Sequence, residues 1–196
     1  MTRDDMIKDS RLTQNQTLPP AIQKVAKNLQ IWGFWSFWLQ LILGIISTVI
    51  FLFTTPALFE GKESLQGIQF GIFSAFVSII LLISSLVISF RYKKIGRKIE
   101  NRDPAMRPKK SETLRLIRSG LIFNLVGMLF AIIGAQTLVG LALAKLLTLS
   151  PQLIGSNPQQ YINSLDLLII QANTNTIAAH FAGIVTDLIL VNRISN

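Results

Sequence analysis

Three long stretches without a charged residue, Ile31–Phe53, Ile68–Phe90 and Ser119–Ala144, constrain this chain more than any other feature. Each exceeds the roughly 20 mostly apolar residues that a helix needs to cross a bilayer. Backbone N–H and C=O groups find no water in hydrocarbon, so these stretches are expected to satisfy one another within α-helices. A fourth uncharged stretch lies between Asp166 and Asp187, but it carries Gln171, Asn173, Thr174, Asn175, Thr176 and His180. Polar groups facing lipid are costly, so this segment is expected to cross the membrane packed against its neighbours. The fold class predicted is all-α: a polytopic membrane protein with four transmembrane helices near 31–55, 66–90, 113–146 and 164–192. Together they form a membrane domain over 31–193. Residues 1–17 read as a disordered cytosolic tail. Residues 18–30 read as an amphipathic interfacial segment, with Ile22, Val25, Ala26 and Leu29 on one face and Lys24, Lys27 and Asn28 on the other; a plain extension of the first helix is the competing reading.

The basic residues predict an orientation. Of the 19 Lys and Arg, five lie in residues 1–30, eleven in the loop 91–118 and one, Arg193, near the C-terminus, leaving Lys62 and Lys145 for the other two loops. Four spans put the N-terminus, the middle loop and the C-terminus on one side, and the positive-inside rule makes that side cytoplasmic. Residues 1–30 show no secretory signal pattern. Trp32, Trp35 and Trp38, with Phe34 and Phe37 between them, suit an aromatic belt at the membrane boundary.

Composition removes several function classes. With no cysteine there is no disulfide, thiolate metal site or cysteine nucleophile, and one histidine cannot build a multi-histidine site within one chain. Nucleotide-binding, serine-hydrolase and zinc-protease motifs are missing from the sequence, and Asp166 and Asp187 are too far apart for a carboxylate dyad. The chain is not expected to be an enzyme or to hold a tightly bound cofactor.

The polar fourth helix is the most informative segment. Asp166, Asn173, His180 and Asp187 recur every seven residues, nearly two helical turns, so they share one seam that drifts about 20° per heptad. At 1.5 Å per residue this ladder spans about 31 Å, close to the hydrocarbon thickness. Thr176 and Gly183 fall on the same seam, and Gln171 and Asn175 pair elsewhere on the surface. Gln40 in the first helix and Asn124 and Gln136 in the third are candidate partners. Two readings follow: hydrogen bonds that hold a bundle together, or a track that passes a cation, with an aspartate at each mouth and His180 near mid-membrane. His180 and Asp187 are the candidate metal ligands. Such a site would be weak, as permeation requires.

The middle loop places Arg91, Lys93, Lys94, Arg97, Lys98, Arg107, Lys109 and Lys110 beside the membrane. This composition suits anionic lipid headgroups or an acidic protein partner. Nucleic acid is not an expected partner, because Tyr92 alone accompanies these charges as a stacking aromatic. Small residues at helical spacing, Gly67, Gly71 and Ala75 in the second helix and Gly127, Ala131 and Ala135 in the third, allow close approach within a chain or between chains. A homo-oligomer or a larger membrane complex is therefore expected.

Several segments carry a family resemblance: LPPAIQKVAKNLQIWGFWSFWLQL (18–41), DPAMRPKK (103–110), GLIFNLVGMLFAIIGAQTLVG (120–140) and, most specifically, QANTNTIAAHFAGIV (171–185). The chain resembles a cyanobacterial and plastid membrane family, a domain of unknown function in bacteria. In plants the family includes a chloroplast inner-envelope permease implicated in iron transport and also assigned to the protein-import translocon. The resemblance implies a permease for a metal cation such as ferrous iron, or alternatively a non-catalytic subunit or assembly factor of a membrane complex, including one for protein translocation. It also implies a cyanobacterial plasma or thylakoid membrane, because no transit-like segment precedes the first span. It supplies no ligand set for individual residues.

Overall fold

The computed structural model describes residues 18–59, 65–101, 104–147 and 164–195. They form four long helices: α1 (Pro20–Phe59), α2 (Leu65–Ile99), α3 (Lys110–Leu147) and α4 (Ser164–Ser195), with a short 3-10 turn at Pro104–Met106. Each contains a segment long and apolar enough to cross a membrane. Among the described residues there is no strand. The chain is an integral membrane protein of four spans.

The helix ends follow local rules. Pro20 opens α1, where its missing N–H costs nothing, and the Pro19 carbonyl accepts from the N–H groups of Ile22 and Gln23 at 2.9 and 3.1 Å. Arg97 and Lys98 close α2 and Arg193 closes α4, each favourable beside the negative end of the helix dipole; Asp166 sits in the first turn of α4.

Two expectations about segments are revised. Residues 20–30 are not a separate interfacial piece but the first turns of α1. Ala26 and Leu29 are fully buried, because their apolar face meets Ile99 of α2 and Ile194 of α4. The basic loop is shorter than 91–118, since α2 runs to Ile99 and α3 starts at Lys110, although its helical ends around a proline-containing bend agree with its sequence. The tail 1–17 lies outside the described residues.

The helices pack in a ring, α1 on α2, α2 on α3, α3 on α4 and α4 on α1, with a lesser diagonal contact between α2 and α4. The interior has three levels. At the end where α1 begins and α4 ends, Ala26, Leu29, Ile88, Tyr92, Ile117 and Leu190 form one apolar layer. At the other end Phe51, Ala75, Ile79, Ile169 and Ala172 form a second, with Leu138 packed on it. Between them lies a polar layer. The outward faces are apolar, as hydrocarbon requires: Leu52, Phe73, Ile80, Ile122 and Leu188 are exposed. Trp35 and Trp38 also face outward, while Trp32 packs against the first apolar layer.

Glycines set the closeness of the crossings. A Cβ at Gly33 would stand 2.9 Å from Tyr92 Cβ, and one at Gly96 only 2.8 Å from the Ala26 carbonyl, so α1 and α2 touch backbone to backbone. The predicted row on α2 is used inside the chain, where Gly67 and Gly71 receive Leu141 and Leu138 of α3, and a Cβ added at Gly134, outside the predicted rows, would stand 3.1 Å from the Gly71 carbonyl.

Candidate functional site

Asn124 on α3 is the centre of the polar layer. Its Nδ2 donates to Asp187 Oδ2 at 3.0 Å, and Tyr92 Oη donates to Asp187 Oδ1 at 2.7 Å. A carboxylate can only accept, so Asp187 fixes which way the Asn124 amide faces. The amide oxygen is thereby turned toward Ser85 Oγ at 2.7 Å and His180 Nδ1 at 3.2 Å. Ser85 Oγ also lies 3.0 Å from Gln40 Oε1, and its single proton serves one of the two carbonyls at a time. From Gln40 the network continues through Nε2 to Ser36 Oγ at 2.9 Å, and from Ser36 to Ser89 Oγ at 3.3 Å. It therefore draws on all four helices.

The histidine has a partner for either state of its ring. Nδ1 faces a carbonyl oxygen and so carries a proton. Nε2 lies 3.2 Å from Ser78 Oγ and 3.2 Å from the Ser78 carbonyl, and Ser78 Oγ is 2.8 Å from the Gly127 carbonyl. A neutral ring accepts the Ser78 hydroxyl proton at Nε2. A protonated ring donates to the Ser78 carbonyl while the hydroxyl turns to Gly127. Each form leaves every proton with an acceptor.

Gln40, Asn124, Asn173, Thr176, His180 and Asp187 are all buried, at 1% exposure or less. Asp187 is the buried carboxylate among the described residues. Three glycines make room for the network. A side chain at Gly127 would overlap the His180 ring, one at Gly183 the Asn124 amide, and one at Gly120 the Tyr92 hydroxyl.

The predicted seam is real in its middle and differs at its ends. Asn173, Thr176, His180, Gly183 and Asp187 share the inward face of α4. Asp187 is not at a mouth, because Leu190, Ile117 and Tyr92 close over it toward the terminal end. Asp166 lies two heptads beyond His180 in the first turn of α4 and is only half-buried. Gln40 and Asn124 join the network, but Gln136 is exposed, and the Thr176 hydroxyl bonds back to the Ala172 carbonyl at 3.0 Å. Asn173 donates to the Ile169 carbonyl at 3.4 Å, while its Oδ1, buried and facing Gly134, has no partner. Gln171 and Asn175 bond to each other at 3.1 Å away from the seam.

The sequence reading missed Ser36, Ser78, Ser85, Ser89 and Tyr92. Their signal is spacing: Ser78, Ser85 and Tyr92 are seven apart on α2, as Gly120, Gly127 and Gly134 are on α3. Of the basic residues, Arg91, Lys94, Arg97 and Lys98 are exposed along the end of α2, Lys93 sits 5.1 Å over the Phe34 ring, and Arg107 Nε donates to the Asn101 carbonyl at 2.9 Å. Lys109 and Lys110 are exposed at the start of α3. Among the described residues, no three of His, Cys, Asp or Glu come together as a metal site. His180 and Asp187 are joined through Asn124 rather than directly.

Comparison with known proteins gives two matches. A family described as "Protein of unknown function (DUF3611)" matches residues 19–195. The chain is also 29% identical over 205 residues to Protein TIC 21, chloroplastic, of Arabidopsis thaliana. That alignment covers 98% of this chain and 64% of the plant protein, so the chain spans a little under two thirds of its relative's length. No solved structure matches.

Proposed function

Since the chain belongs to the family described as "Protein of unknown function (DUF3611)", whose description assigns no activity, we propose that it is a membrane transport protein passing a divalent metal cation along the inward seam of α4, with ferrous iron the first candidate because the family resemblance implies it. One observation carries the proposal: the only histidine and the buried carboxylate are joined by one amide at the centre of a four-helix bundle. An ionisable pair in that position costs several kcal/mol to bury relative to apolar packing, which marks it for function.

The donor types suit the cargo. A carboxylate, an imidazole and amide carbonyls favour a borderline divalent ion, and a sparse set holds it weakly enough to release it. Asn173 Oδ1, nearly two helical turns from His180, is an acceptor without a partner that a passing cation or its water would fill. The side chains bond to one another in this structure, so it represents a closed state. Passage requires Asn124 to leave Asp187 or His180. A cyanobacterial plasma or thylakoid membrane is the proposed location, and the chain is proposed to act without a resident cofactor and without catalysing a reaction.

Protein reconstituted in liposomes enclosing a quenchable metal dye tests this. Ferrous iron should enter faster than into empty liposomes, and Asp187→Asn, which keeps the shape and loses the charge, should slow entry by about tenfold or more. Entry no faster than into empty liposomes for iron, manganese and zinc alike would overturn the reading.

The exposed basic face of α2 favours a second reading, a non-catalytic subunit of a larger membrane complex. Neutralising Lys94, Arg97 and Lys98 would then release a stoichiometric partner from protein purified out of native membranes, and recovery of the protein alone before and after the change would exclude it.

A further inference from the structure

We infer that the end of the bundle where α1 begins and α4 ends contains a binding site for the phosphate headgroup of an anionic phospholipid. All four helices meet there around a cleft of about 820 Å³, large enough for a headgroup and the start of its acyl chains. Four cations line it: Lys24 from α1, Arg107 ahead of α3, Lys110 at the start of α3 and Arg193 in the last turn of α4. Among the described residues, no acidic side chain lines the cleft. Lys24 and Arg193 come from opposite ends of the sequence, so the site is assembled by the fold and is not a property of the basic loop.

The rest of the lining is mixed, with Asn28, Thr113 and Asn192 polar and the remainder apolar. Ile22, Val25, Ile99 and Ile194 contribute side chains, and the last two belong to the apolar layer that closes over Tyr92 and Asp187. A soluble anion has no use for such a surface, whereas a lipid presents hydrocarbon beside its phosphate. Position agrees. Lys24 precedes Ile31, where the charge-free stretch of α1 begins, by seven residues or about 10 Å, which sets the cleft against the headgroup layer. Lys110 also donates to the Ser195 carbonyl at 3.3 Å, tying the start of α3 to the end of α4 across the cleft.

The charge has a further consequence. An unoccupied ring of four cations repels any cation approaching from that side, and a bound phosphate offsets part of that field. The binding site itself does not rest on the transport reading, and its test involves no transport.

The test uses full-length protein purified in detergent, with binding of phosphatidylglycerol and phosphatidylcholine followed by native mass spectrometry and by thermal stability. Phosphatidylglycerol should bind more tightly. The pair Lys24→Gln and Arg193→Gln should weaken it by about 20-fold, while Lys94→Gln and Arg97→Gln, the same loss of charge on the exposed face of α2, should weaken it by less than about threefold. Excess inorganic phosphate should not displace it. Equal losses in the two pairs would replace the site with diffuse attraction, equal binding of both lipids would remove headgroup recognition, and displacement by phosphate would assign the cleft to a soluble anion; each overturns the proposal. Should the double variant fail to fold by circular dichroism, Lys24→Gln alone serves the same comparison.

Discussion

Asn124 is the residue on which most of the site depends. Replacing it by leucine leaves the Asp187 carboxylate and the His180 Nδ1 proton each short of a partner in a water-poor interior, while the Ser85 hydroxyl keeps Gln40 Oε1. The expected loss is about 3 kcal/mol or more, read from reversible unfolding in mixed micelles. Gln136→Leu, on an exposed position of the same helix, should stay within about 0.5 kcal/mol of the parent. Glycines allow an equally sharp contrast. Gly127→Ala drives a methyl group into the His180 ring and should cost about 1–3 kcal/mol, whereas Gly140→Ala meets nothing within 4 Å and should be neutral or slightly stabilising. At this scale the sequence was partly legible. A heptad of Asp166, Asn173, His180 and Asp187 announced a seam, and His180 and Asp187 stand on it. Whether a given polar side chain finds a partner depends on what the facing helix offers, and for that reason Asn124 and Gln136, alike on paper, have different fates.

Among the elements, α4 has two unlike faces, and thiol labelling can read them. Cysteines replacing Thr174, Ala178 and Phe181 point outward, while those replacing Asn173 and Thr176 point to the seam. Seam positions should be protected from a small aqueous maleimide at rest and become reactive during metal transport; reactivity that never changes would mean the seam only packs. The pairing of α1 with α4 has its own tie, the Ser47 hydroxyl donating to the Ala172 carbonyl at 2.8 Å. Ser47→Ala should cost about 1 kcal/mol in the same unfolding assay. Helix existence was readable from charge-free length, because lipid leaves a spanning backbone few alternatives. Helix ends were less so: α1 begins near Pro20, well before Ile31, because the apolar face of residues 22–29 finds Ile99 and Ile194 to cover it.

For the whole molecule, the ring of four helices sets the start of α1, the end of α2, the start of α3 and the end of α4 at one end. Tags placed at the two termini should be cleaved by protease from the same side of sealed membranes, and a split result would break the ring. The three-level interior, apolar, polar and apolar, closes over the network at both ends. By itself the sequence determined the number of spans and the inward turn of the polar helix, because both follow from the cost of placing charges and amides in hydrocarbon, which any single segment already carries. The tertiary structure alone decided that Asp187 is roofed over rather than open at a mouth, that serines and a tyrosine of α2 complete the network, and that Lys24 and Arg193 line one cleft. Those depend on distances between segments far apart in the chain, and helical periodicity says which side a residue faces but not what stands opposite.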